Sequence, residues 1–267
     1  MTKTMTRIDK TLTALNRPAL VTFITAGDPD YAQSLSVLKS LPDAGADIIE
    51  LGMPFTDPMA DGPVIDLASQ RALKGGANMH KTLDMVREFR QDNENTPIIL
   101  MGYINPVHAY GIETFCTAAS EAGVDGLIIV DLPPEESPEL EAAANKNSLN
   151  LIRLVTPTTD EARLEKLLKG ASGFLYYVSI TGVTGSKKAD LSQITPHIAS
   201  IKKQSNMPVA IGFGIKTPDD AAAMGAIGDA VVVGSSIVQT IADNGTAPDL
   251  ADKVTTQVKA LSNALKT

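Results

Sequence analysis

Three carboxylates fall in one short stretch, Glu50-Leu51-Gly52-Met53-Pro54-Phe55-Thr56-Asp57-Pro58-Met59-Ala60-Asp61-Gly62-Pro63. Glu50 lies near the end of an otherwise apolar run. A carboxylate buried there is costly unless it is paired, hydrogen-bonded or protonated. Desolvation should lift its pKa toward neutrality, where one side chain can both give and take a proton. The plainer reading is a structural carboxylate tied to a neighbouring strand. Asp57 and Asp61 follow on a Pro- and Gly-rich loop, where an Asp ordinarily caps its own backbone. Their convergence with Glu50 on one strand end weakens that reading without overturning it.

A second set of residues suits an anion. Ser179-Ile180-Thr181-Gly182-Val183-Thr184-Gly185, Gly212-Phe213-Gly214-Ile215 and Gly234-Ser235-Ser236 each follow an apolar run in the second half of the chain. Glycines let backbone N–H groups approach an anion closely, and a short helix after Ser235 would add its positive end. One such turn is a weak signal. Three in register with successive strands point to a phosphate.

Other chemistries lack their residues. His80, His108 and His197 stand alone, without the spacing of a metal site. No GxGxxG follows the first apolar run, and neither a GxxxxGK[ST] loop nor a GxSxG elbow occurs. No lysine sits in an apolar run, which disfavours a Schiff base. Carboxylates are left as the acid–base groups, with Tyr103 and Tyr176 as helpers.

The elements that must position these groups form a repeat. Short apolar runs occupy 19–24, 48–51, 98–101, 126–130, 150–154, 173–178, 209–213 and 230–233. Runs so short and uniformly apolar fit strands buried on both faces of a parallel sheet. Helical spacing occupies 31–44, 80–92, 112–122, 138–147, 161–168 and 218–224, with Pro29, Pro138 and Pro218 near helix starts and Gly45, Gly123 and Gly170 at helix stops. Eight βα units in 267 residues predict one (β/α)8 TIM barrel spanning 1–267, with an open doubly wound sheet as the alternative. Residues 1–17 read as an extra N-terminal helix capping the barrel bottom, and 248–267 as the last helix. The connections 52–79 and 179–193 read as long, and active sites of such barrels lie on the loops after the strands.

Composition narrows the function classes. A formal charge of −8 without a basic stripe disfavours nucleic-acid binding. No apolar run is long enough to span a membrane and the N-terminus lacks a signal-peptide pattern, so a cytoplasmic location is expected. The one cysteine, Cys116, reads as a buried structural thiol.

The segments FITAGDP (23–29), IIELGMPFTDPMADGPVI (48–65), MGYINPV (101–107), VDLPPEE (130–136), YYVSITGVTG (176–185) and IGFGI (211–215) closely resemble the tryptophan synthase α-subunit family, in order and through nearly the whole chain. The resemblance implies a lyase that cleaves indole-3-glycerol phosphate to indole and glyceraldehyde 3-phosphate without metal or cofactor. Glu50 matches the catalytic glutamate and Asp61 the second carboxylate, which would accept the indole N–H. Gly185, Phe213, Gly214, Gly234 and Ser235 would hold the glycerol phosphate, and Phe23, Met101 and Tyr176 would line the indole pocket. Asp57 and Thr184 match a pair that links two loops over bound substrate. Met53 and Met101 depart from the aliphatics expected there. The resemblance further implies a β subunit that carries pyridoxal phosphate and receives indole in an αββα complex, facing residues 54–62, 103–108 and 133–134. The isolated chain is expected to be monomeric. Alternatives are a stand-alone indole-releasing lyase and a weakly catalytic, phosphate-binding activator of a partner enzyme. A different phosphate-binding barrel isomerase is disfavoured by the ADGP and TGVTG loops.

Overall fold

The computed structural model describes residues 5–178, 191–212 and 214–266. The elements run α1 (Arg7–Ala14), β1 (Ala19–Thr25), α2 (Tyr31–Ala44), β2 (Ile48–Gly52), α3 (Pro63–Lys74), α4 (Met79–Arg90), β3 (Ile98–Gly102), α5 (Ile104–Tyr110), α6 (Ile112–Ala122) and β4 (Gly126–Ile129). A 3-10 turn (Pro134–Glu136) leads to α7 (Pro138–Lys146), β5 (Asn150–Leu151), β6 (Arg153–Val155), α8 (Glu161–Leu168) and β7 (Leu175–Val178). After the undescribed stretch come α9 (Leu191–Ser205), β8 (Val209–Gly212), α10 (Pro218–Gly225), β9 (Ala230–Val233), α11 (Ser235–Asn244) and α12 (Leu250–Ala264).

All strand pairings are parallel, in the order β5-β4-β3-β2-β1-β9-β8-β7-β6. The two ends of that order, β5 and β6, are consecutive pieces of one strand broken at Ile152. The sheet therefore closes on itself, and the fifth apolar run of the sequence supplies the seam. The chain is an α/β TIM barrel, and the open-sheet alternative falls. Every residue of β1, β2, β4, β8 and β9 is buried, because a parallel sheet under helices is covered on both faces.

Alternate positions divide the core in two. Ala19, Val21, Ile48, Ile99, Ile128, Ile152 and Phe174 fill the barrel interior, and Ile8 of α1 joins them from below with no exposed surface. Leu20, Ile24, Leu51, Leu100, Leu127, Ile211 and Val231 face outward, into the layer shared with the helices. The helix ends follow local chemistry. Asp30 caps α2 by accepting from the Gln33 N–H, and Gly45 ends it in the left-handed conformation at φ 99°. Thr217 and Asp220 form a reciprocal capping box on α10, with Pro218 at its first position.

Two connections differ from expectation. The stretch 52–79 is no long loop, since α3 occupies Pro63–Lys74 and the true loop shrinks to 53–62. The fully buried side chains of α3 are Ala68, Ser69 and Ala72, too small to give a strong apolar rhythm in sequence. The second long connection, 179–193, is cut short by α9 starting at Leu191, and 179–190 lie outside the described residues.

Below the strands, Asp125 is a junction. It pairs with Arg7 of α1 at 2.8 Å and Arg90 of α4 at 2.7 Å, and accepts the Ile98 N–H at 2.8 Å. Its side chain is only 5% exposed, so removing it leaves the Arg90 guanidinium, itself 10% exposed, without its counter-charge and the Ile98 N–H without an acceptor. Breaking a buried ion pair from one side costs about 3–5 kcal/mol. Asp125→Ala is therefore expected to lower the urea-unfolding free energy by about 3 kcal/mol, without altering substrate affinity at the opposite barrel end.

Candidate active site

Glu50 sits near the centre of the barrel, on β2, level with Phe23 of β1 and Ile99 of β3. It is completely buried, and neither carboxylate oxygen has a hydrogen-bond partner among the described residues. Burial pushes its pKa up to about 8. At neutral pH the group is therefore a protonated acid, kept so by desolvation. Tyr176 of β7 is close enough for the Glu50 charge to add to burial in raising the pKa of its hydroxyl. The ring has its place because residue 212 is glycine: a Cβ there would lie 2.3 Å from the Tyr176 hydroxyl. Gly52 does the same for Phe23, where a Cβ would meet the ring tip at 2.6 Å.

Above Glu50, at the carboxyl ends of the strands, a cavity is walled by Phe23, Met53, Ile65, Met101 and Val130, with Thr25, Asp61, Ser69 and Tyr103 as its polar members. Apolar walls around one carboxylate suit a flat, apolar ring with a single N–H. Asp61 is half-buried, and its pKa rises to about 6: burial dominates, the Tyr103 hydroxyl opposes it by hydrogen bonding, and Asp66 adds a smaller upward push. Tyr103, itself nearly buried, accepts the Ala60 N–H at 3.1 Å with the same hydroxyl. It thus ties the loop 53–62 to the end of β3.

On the far side of the mouth, Gly234 precedes α11 without a side-chain cap. The opening N–H groups of a helix have no acceptor within it, so this end presents donors and a partial positive charge. Ser235 stands exposed at the helix start, and the Ser236 hydroxyl is buried without a partner among the described residues. Gly214 holds φ +72°, a conformation other residues rarely adopt. These donors would suit a phosphate. Thr184, Gly185 and Phe213 lie outside the described residues, and so does the proposed partner of Asp57, which is exposed on its loop.

The structure thus brings Phe23, Met101 and Asp61 to one cavity, with Glu50 and Tyr176 deeper in the barrel and Gly234 and Ser235 at the rim. Ile65, Ser69, Thr25 and Val130 were not singled out in sequence. The spacing of Ile65 and Ser69, one helical turn apart, was the available signal for the first two. Among the described residues no cluster of three or more His, Cys, Asp or Glu could hold a metal, and no helix is long and apolar enough to cross a membrane.

The sequence model of the tryptophan synthase alpha chain matches residues 10–266. The chain belongs to the tryptophan synthase alpha-chain family. Among solved structures, the tryptophan synthase alpha chain of Legionella pneumophila subsp. pneumophila is 39% identical over 98% of both chains, with a TM-score of 0.91. Tryptophan synthase of Mycobacterium tuberculosis is 31% identical over 98% of this chain and 99% of that one, at a TM-score of 0.89. As a member of that family, it is an enzyme of tryptophan biosynthesis, a lyase of the type that cleaves indole-3-glycerol phosphate.

The buried Glu50 also leaves a thermodynamic signature. Its pKa rises from 4.5 to about 8 on folding, so between those values the folded chain keeps a proton that the unfolded chain releases. The resulting stabilisation is complete below pH 4.5 and lost as pH rises toward 8, at up to about 1.4 kcal/mol per pH unit. Glu50→Gln carries no such proton. Its melting temperature should exceed that of the wild type by a margin that widens from pH 5 to pH 8, and a constant margin would contradict a protonated Glu50.

Proposed function

We propose that this chain cleaves indole-3-glycerol phosphate by carboxylate retro-aldol chemistry, using Glu50 and Asp61 and requiring no cofactor of its own. The observation that carries the reading is the contrast between the two groups. One carboxyl is sealed in the barrel with a pKa of about 8, and the other lines the apolar cavity above it with a pKa of about 6. Near pH 7 the first is an acid and the second an anion, the division of labour that one site needs to run both halves of the reaction.

In the proposed sequence, protonated Glu50 gives its proton to indole C3, which leaves the ring as a cationic indolenine. Asp61 accepts the ring N–H and offsets the positive charge as it develops, favouring the transition state over the ground state. The Glu50 carboxylate then takes the proton from the C3′ hydroxyl while the C3–C3′ bond breaks. Indole and an aldehyde leave, and Glu50 is again protonated. Phe23, Met101 and Tyr176 hold the ring. Gly185, Phe213, Gly214, Gly234 and Ser235 hold the phosphate, and closure of Asp57 onto Thr184 would exclude water.

The family to which the chain belongs supports a β partner that carries pyridoxal phosphate and takes up the indole in an αββα complex. Met59, 83% exposed on the loop 53–62 that carries Asp61, puts apolar surface beside the cavity mouth in keeping with a protein partner there. The reading places both subunits in the cytoplasm.

Indole release from indole-3-glycerol phosphate tests the reading, with the purified chain alone and with a β subunit. General acid–base catalysis is worth roughly 10²–10⁴-fold, so Glu50→Gln should lose at least about 100-fold in kcat while still binding glycerol 3-phosphate. Wild-type turnover that climbs on adding the β subunit supports the synthase role, and full turnover without it favours a stand-alone lyase. An unimpaired Glu50→Gln sinks the mechanism.

The same two groups set the pH profile. Activity needs Asp61 ionised and Glu50 protonated, so kcat/KM should form a bell with limbs near pH 6 and pH 8. In Asp61→Asn the acid limb should disappear along with most of the rate.

A further inference from the structure

The turn Gly27-Asp28-Pro29, between β1 and α2, belongs to one of the segments noted in sequence, yet the chemistry above makes no use of it. The Asp28 side chain is fully buried, at 0% exposed. Arg71 of α3 grips it as a fork, with Nε 2.8 Å from Oδ1 and Nη2 2.9 Å from Oδ2. Burial raises the pKa of Asp28 by more than the guanidinium lowers it. A pair whose desolvation offsets its attraction adds little to stability compared with an apolar pair of like volume. Its effect is then geometric: a bidentate fork fixes distance and orientation together.

What it orients is α3. This helix starts at Pro63, with Gly62 as its N-cap, directly after Asp61. It brings Ile65 and Ser69 into the cavity wall. Val64, Ile65 and Ala68 rest on Phe23 and on Val238 of α11, but the fully buried side chains of the helix are only Ala68, Ser69 and Ala72. Such small groups bury little apolar area and resist sliding weakly. Next to the fork the backbone comes close, since a Cβ on Gly27 would stand 3.0 Å from that of Ala77 and 3.8 Å from that of Ala72. The loop ahead of Asp61 is secured by the Met53 N–H on the Met101 carbonyl and the Ala60 N–H on Tyr103. At its other end Asp61 meets the Tyr103 hydroxyl on one side and runs into α3, through Gly62, on the other.

We propose that Asp28 and Arg71 are positioning residues of the lyase reaction: their fork sets how α3 lies across β1, and so where Asp61 stands in the ring cavity. The proposal rests on the lyase reading and extends it to two residues that touch no substrate. A misplacement on the order of 1 Å can cost about 100-fold in rate, whereas the donors at Gly234 and Ser235 are backbone groups at the start of α11.

Arg71→Met, Arg71→Lys, Asp28→Asn and the double variant Asp28→Asn/Arg71→Met, each checked for folding by circular dichroism and thermal unfolding, decide the matter. In folded Arg71→Met and Asp28→Asn, kcat for indole release should fall at least about tenfold with KM and the Kd for glycerol 3-phosphate within about threefold of wild type. The acid limb of the pH profile should shift, because the surroundings of Asp61 change. The double variant should be no worse than the poorer single one, and Arg71→Lys, which keeps the charge without the fork, should recover part of the rate. Unchanged kcat in folded Arg71→Met overturns the proposal. So does a loss of substrate affinity as large as the loss of rate, the mark of a merely structural pair; a lower melting temperature is expected either way, because Arg71→Met leaves the buried Asp28 unpaired. If the wild type releases no indole, the lyase reading fails first. Hydrogen exchange then judges the fork: faster exchange confined to residues 60–69 in Arg71→Met upholds the positioning of α3, and an unchanged pattern removes it.

Discussion

A parallel barrel closed on itself has no edge and no interior water path along its strands, so an ionisable group on an inward position must live without solvent. That constraint governs the site. Glu50 is such a group: β1 and β3 enclose it on both sides, and no neighbour among the described residues satisfies its oxygens. The barrel needs no special partner to make a carboxylic acid of it at neutral pH, because exclusion of water is sufficient. Everything above the strands adapts to this fixed acid. The cavity over it is walled by apolar side chains, a second carboxylate enters from a loop where solvent and Tyr103 hold its pKa lower, and the donor-rich helix start lies at the rim.

The scaffold separates rigidity from reach. Groups that must not move stand on strands, where pleat and register fix them: Glu50, Tyr176, Phe23 and Met101 all project from β1, β2, β3 or β7. Groups that meet the polar parts of a ligand stand on loops and helix starts. The glycines mark where the two sets crowd. Gly52 and Gly212 exist so that aromatic rings on neighbouring strands can occupy the volume a side chain would claim. Two of the buried polar contacts outside the cavity, Asp125 below the strands and Asp28 above them, tie separate βα units together.

Much of this was legible in the sequence, for a physical reason. Buried parallel strands are short and apolar throughout, so all eight runs could be placed, and α2, α6 and α8 begin and end where their spacing predicted. Glu50 stood out because it is charged within such a run. What resisted reading was packing by small residues and contact between distant positions. The alanine and serine face of α3 gives no apolar rhythm, so the sequence hides this helix and, with it, the place of Ile65 and Ser69 in the cavity wall. The break of the fifth strand at Ile152, the hold of Tyr103 on the Asp61 loop and the Asp28–Arg71 fork join residues that sequence spacing does not relate.

The plug under the barrel has a consequence for how the chain is made. Ile8 is synthesised long before Ile152 and Phe174, yet those two residues complete the floor it fills. Until those strands exist, the α1 helix has only part of its socket, and its apolar face stays in water. Closure of the floor is thus a long-range event that synthesis reaches late, with the entropy of a long loop to overcome. A nascent chain stopped before residue 174 holds an open sheet with sticky edges, and such intermediates are what chaperones recognise. The feature that makes the finished barrel watertight also makes its unfinished forms the most exposed to aggregation.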